Sequence, residues 1–145
     1  MNRWLSCLTV CVLLQAGASA ADRLIEVRQI WNAAPHNAFT DLVRFQDRWF
    51  CVFREGAAHV SPDGALRVIT STDGQEWTSA ALITAPDADL RDAKITVTPQ
   101  GKLMLCGAAA LHDRSQQSHQ SLAWFSTDGE HWSEARKIGD PDLWL

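Results

Sequence analysis

The chain has 145 residues, 46% of them hydrophobic and 21% charged, with seven Trp, five Phe and no Tyr. That mix excludes a disordered or collagen-like polypeptide and suits a globular fold. Thirteen Lys and Arg against 17 Asp and Glu leave a formal charge of -4, so no basic surface is on offer to a phosphate backbone and no nucleic-acid partner is expected.

Met1 to Ala20 carries one cation, Arg3, then an apolar stretch from Leu8 to Leu14, then Ala18-Ser19-Ala20. Small residues at the end of such a stretch are what signal peptidase requires, and Gln15 with Gly17 ends it too early to cross a bilayer. The segment reads as a secretory signal, so the expected location is secreted or periplasmic, with no membrane attachment after cleavage. Cys7 and Cys11 leave with the signal. The remaining Cys51 and Cys106 sit inside apolar runs and are expected as buried free thiols.

The mature chain from Asp22 onward reads as short strands. Phe39 to Phe45 and Arg48 to Phe53 flank a Gln46-Asp47 turn, and Leu66 to Thr70 leads into Ser71-Thr72-Asp73-Gly74-Gln75-Glu76-Trp77 before a short run ending at Ile83. Lys94 to Thr98 and Lys102 to Ala108 then flank Pro99-Gln100-Gly101. Ser121 to Phe125 leads into Ser126-Thr127-Asp128-Gly129-Glu130-His131-Trp132, a second copy of the heptapeptide 55 residues on, before a run ending at Ile138. Asp-Gly between two strand runs is the strongest short hairpin signal. Four short strands per repeat of about 50 residues is the signature of a β-propeller blade. The expected fold is therefore all-β, with four-stranded antiparallel blades at about 38–83 and 93–138.

In Trp49-Phe50-Cys51-Val52-Phe53 both strand faces are apolar, as a strand sandwiched between neighbours requires. Two blades do not close a ring, so the sequence reads as the N-terminal portion of a longer protein. Its open blade faces are expected to favour self-association.

The two Ser-Thr-Asp-Gly-x-x-Trp copies resemble the Asp box (BNR repeat) of the sialidase, or neuraminidase, superfamily of six-bladed propellers, and the resemblance spans Asp22 to Leu145. It implies a structural role for Ser71, Asp73, Gly74 and Trp77 and for Ser126, Asp128, Gly129 and Trp132, on the side opposite the active site. The Asp accepts backbone N–H groups across the turn, Gly supplies a positive φ, and Trp packs beneath. The resemblance also implies a glycoside hydrolase or related carbohydrate-active enzyme acting on extracellular glycans without cofactor or metal. Such enzymes bind a carboxylate with an arginine triad, and a Tyr paired with a Glu serves as nucleophile. Here Ala38 stands where the first triad Arg belongs, and the chain has no Tyr. The chain alone is accordingly expected to be inactive. The alternative is a non-catalytic propeller that binds glycans or proteins.

The positions that match are few. Arg54 ends the second strand where the family places a further active-site Arg; an ion pair with Glu55 or another local carboxylate is its competing use. The acid/base position falls in the loop Ala57 to Gly64, at His59 or Val60 by spacing or at Asp63 by residue type. An imidazole can exchange protons near neutral pH. Arg91 and Asp92 precede the first strand of the second repeat and are expected to contact substrate, as is His36 at the equivalent place in the first. His112, Asp113 and His119 match no zinc spacing, so no metal site is expected.

Overall fold

The computed structural model describes residues 26–144; the segment Met1 to Ala20, expected as a secretory signal, lies outside them. Eight strands form two four-stranded antiparallel sheets, each in simple sequential order. The first holds β1 (His36–Phe45), β2 (Arg48–Gly56), β3 (Ala65–Ser71) and β4 (Thr78–Ile83). The second holds β5 (Ala88–Val97), β6 (Leu103–Leu111), β7 (His119–Ser126) and β8 (Arg136–Ile138). No helix occurs among the described residues, so none there is long and apolar enough to cross a membrane.

The period-2 alternation of β2 divides its side chains between two environments. Phe50 and Val52, with Leu66 and Val68 of β3, meet Leu90, Ile95, Leu103, Leu105 and Trp124 of the second sheet in one apolar cluster. Burying each of these large side chains contributes roughly 1.5–3 kcal/mol, which makes this shared layer the main cohesion between the sheets. Cys51, Phe53 and Ile69 face the other way and are covered by Trp31 and Trp77. Cys51 and Cys106 are both free; Cys51 is buried as expected, whereas Cys106 is only half-buried. Burial, reinforced by the Asp41 carboxylate, pushes the Cys51 thiol up to about 11.

The turns fall where the sequence places them. Gln46 and Asp47 adopt φ of 48° and 63°, the mirror-image conformation whose twist suits a two-residue hairpin. Gly74 and Gly129 adopt 73° and 81°. The sequence reading errs at the start of β5. It starts that strand at Lys94 and leaves Asp89 to Asp92 ahead of it, whereas β5 begins at Ala88 and includes them. Tertiary partners hold this stretch extended: the Leu90 N–H donates to the Gly64 carbonyl (3.0 Å) and Asp89 pairs with Arg54.

β1 and β5 share an irregularity. The register of β1 on β2 shifts between Ala38 and Asp41, and that of β5 on β6 shifts between Arg91 and Lys94. Within each bulge one residue takes a positive φ, Phe39 at 61° and Asp92 at 54°. Asp41 lies just past the first bulge, and its Oδ2 accepts the N–H of Ile95 on β5 at 3.0 Å. β1 and β5 are edge strands of their sheets, and this side chain bridges them.

Candidate functional site

Antiparallel order sends the starts of β1 and β5, the ends of β2 and β6, and loops 57–64 and 112–118 to one rim. The two heptapeptide hairpins lie at the opposite end of the sheets. Every candidate chosen for chemistry, namely His36, Arg54, His59, Asp63, Arg91 and Asp92, falls at the rim end.

Arg54 is fully buried. Its Nε and Nη2 reach Asp89 Oδ1 at 2.9 and 2.8 Å, Nη1 donates to the Ala58 carbonyl at 2.8 Å, and Nη2 also reaches Ser61 Oγ at 3.1 Å. The ion pair therefore joins the two sheets and does not involve Glu55. Strand alternation turns Glu55 to the opposite face, where Arg67 (2.8 Å) and the Trp31 indole bind it. With each of its nitrogens engaged, Arg54 fixes the shape of loop 57–64.

Asp63 folds back on that loop and accepts the Ala57 N–H at 3.0 Å. Its hydrogen bond with Ser61, then that with Ala57, hold its carboxyl below the usual range. A carboxyl so stabilised as an anion suits closing a turn better than donating a proton at neutral pH.

His59, Arg91 and His36 converge. Arg91 Nη2 donates to the His59 carbonyl at 2.9 Å, and the His59 ring meets the His36 ring edge to face at 5.5 Å. Phe39 stands 5.6 Å from His59 on another side. Two buried polar atoms here, His36 Nδ1 and Arg91 Nε, make no hydrogen bond; Asp89 Oδ2 is 3.6 Å from Arg91 Nε. Buried polar atoms are nearly always bonded; Arg91 Nε has the Asp89 carboxylate as its ion-pair partner, which leaves His36 Nδ1 as the unsatisfied atom of the cluster.

Asp92 accepts the Trp144 indole N–H at 2.8 Å. That indole also lies against His119 at 4.7 Å and under the Arg91 guanidinium at 5.9 Å. Beside this cluster an open cavity of about 430 Å³ runs between Val60, Ser61 and Pro62 on one side and Leu111, His112 and Arg114 on the other, a volume in the range of small-molecule sites. Among the described residues no group of His, Cys, Asp or Glu gathers in a way that could hold a metal ion. His112 bonds the Pro62 carbonyl (3.0 Å) and Asp113 the Ser115 N–H (2.9 Å).

The sequence does not disclose Phe39, Asp89 or Trp144 as parts of this rim. Asp89 lies 35 residues from Arg54 and Trp144 lies 52 from Asp92, so no local pattern links either pair. Phe39 is conspicuous only through its backbone.

At the opposite end each hairpin carries the same internal bonds. Ser71 and Ser126 Oγ accept the Gly74 and Gly129 N–H groups at 2.8 and 2.7 Å. Asp73 Oδ1 accepts the N–H groups of Gln75 and Glu76 at 2.7 and 3.0 Å, and Asp128 Oδ1 those of Glu130 and His131, both at 2.8 Å. Trp77 and Trp132 donate their indole N–H to the Gly74 and Gly129 carbonyls. These bonds satisfy the turn internally and leave little for chemistry.

No protein-family model matches the chain, and no curated protein matches it. A solved structure, described as the crystal structure of a protein of unknown function from Dyadobacter fermentans DSM 18053, is similar to it with a TM-score of 0.55 and 19% sequence identity. The match covers 68% of this chain and 35% of that one, and at this identity the likeness concerns the fold alone.

Proposed function

We propose that the chain forms two consecutive blades of an exported, sialidase-like propeller and that the rim opposite the Ser-Thr-Asp-Gly-x-x-Trp hairpins handles glycans. The observation that carries this reading is the duplicated hairpin with its matching internal bonds, placed at the same end of two successive four-stranded sheets. The His36, His59 and Arg91 cluster supplies donors for sugar hydroxyls or a carboxylate. Within this chain the role is recognition rather than turnover. There is no Tyr, and the guanidinium of Arg54 is occupied by Asp89 and loop 57–64. The same two facts favour the second reading, a propeller that binds glycans or proteins without hydrolysing them.

The test is retention on an immobilised glycan array, beside release of a fluorescent leaving group from a sialoside. The full chain should retain glycans, lose that retention on Arg91→Ala, and release no fluorophore. Release above that of a His59→Ala variant would overturn the recognition-only role. Failure to retain any glycan would overturn the glycan reading.

A further inference from the structure

The Phe39 backbone sits at φ 61°, in the left-handed region that Gly enters freely and that bulky side chains avoid. Packing gives no offset for that strain. Phe39 is 43% exposed and belongs to neither apolar cluster. The bulge does not require an aromatic residue either. At the matching bulge of β5 the positive-φ position holds Asp92, a short polar residue for which this conformation is cheaper. One backbone device thus presents a carboxylate from the second sheet and an aromatic ring from the first. Strain kept where the surrounding structure does not reward it points to use of the side chain.

We infer that Phe39 is a stacking platform for the apolar C–H face of a pyranose ring, an inference that rests on the glycan reading above. A pyranose offers a flat patch of C–H groups rimmed by hydroxyls, and it needs an exposed aromatic face with polar groups at its edge. Phe39 provides the face. His59, 5.6 Å from it, and His36 beyond are the edge groups, and His36 Nδ1 is a buried polar atom lacking a hydrogen bond. Arg91 holds His59 in place through its carbonyl.

The experiment titrates the full chain with lactose, 3′-sialyllactose and chitotriose by saturation-transfer NMR, and compares Phe39→Ala, Phe39→Gly and Phe39→Trp. The Ala and Gly variants should weaken the best-bound sugar about tenfold, the loss expected for one stacked ring, and the Trp variant should keep it. Phe39→Gly should melt about 4 °C or more above Phe39→Ala, because only Gly relieves the backbone. Unchanged sugar affinity in Phe39→Ala would overturn the platform and leave the glycan reading standing. Equal melting of the Gly and Ala variants would overturn the strain argument. Binding of none of the three sugars by the unaltered chain would overturn the glycan reading and the platform together.

Discussion

Within the turn, the hairpins at Ser71–Trp77 and Ser126–Trp132 agree in each Ser, Asp and Trp hydrogen bond to the backbone. Outside it they part. A Cβ at Gly129 would lie 2.1 Å from the Phe50 ring, whereas one at Gly74 would meet nothing within 4 Å. Arg48 of β2 reaches across to Glu130 and to the Asp128 carbonyl, both at 2.7 Å, and Gln46 reaches the Thr127 carbonyl. The first hairpin is held instead by Arg28, from the segment before β1, at Gln75 (2.7 Å) and the Gly74 carbonyl (3.0 Å). Seven residues therefore specify a turn, and its surroundings decide whether that turn is also a joint. The second hairpin docks one sheet on the other, and the first caps its own sheet.

The strongest way to break this comparison is to add one methyl group to each glycine. Gly74→Ala should cost about 1–2 kcal/mol, the strain of a non-glycine residue at positive φ. Gly129→Ala should cost about 2–5 kcal/mol, because overpacking against Phe50 adds to the same strain. Denaturant unfolding gives both values, and equal losses would deny the second hairpin its role as a joint.

Ser71→Ala and Ser126→Ala sharpen the other half of the comparison. Each removes an Oγ that accepts two backbone N–H groups, so each should cost about 1–2 kcal/mol. The two losses should be the same. A clear inequality would show that the matching internal bonds do not bear equally on stability.

The smallest effect is in pH. Backbone N–H donors, first from Gln75 and then Glu76, lower the Asp73 carboxyl below 3.8, and those of His131 lower Asp128 further. Both carboxylates stabilise the folded state above the ordinary carboxylate range and lose that contribution as pH falls through their lowered values. Only the second hairpin has His131, whose ring bonds Asp128 Oδ2 at 2.8 Å and whose pKa is raised above 6.5 by that bond, by the Asp128 charge and by Glu130. The imidazolium contribution is full below 6.5 and disappears as pH rises through the raised value. The second hairpin should thus be firmest between the carboxylate range and 6.5, and His131→Gln should flatten the decline in stability from pH 6 to 8. Glu76→Gln should leave that decline unchanged.

Much of the fold is legible in the sequence because its determinants are local. The Asp-Gly turns, the period-2 runs and the two-faced apolar pattern of Phe50 to Phe53 each report on a few adjacent residues. What stays hidden is set at a distance. Asp89 to Asp92 reads as lying before the strand until Arg54 and the Gly64 carbonyl draw it into β5. Arg54 and Glu55 are neighbours in sequence, yet the pleat sends them to opposite faces and to different partners. The chemistry of the rim was visible as residue types at His36, His59 and Arg91. Their convergence was not, and neither was the backbone of Phe39, since nothing in Asn37-Ala38-Phe39-Thr40 announces a bulge.

The carboxylate of Asp41 has a consequence for how the sheets keep their identity. β1 and β5 are unpaired edges lying near each other, the arrangement from which strands zip into one continuous ribbon or recruit another chain. By accepting the Ile95 N–H, Asp41 places a charged side chain where a ladder between the two sheets would begin. It acts as a spacer: eight strands remain two sheets of four instead of running on as a single flat wall.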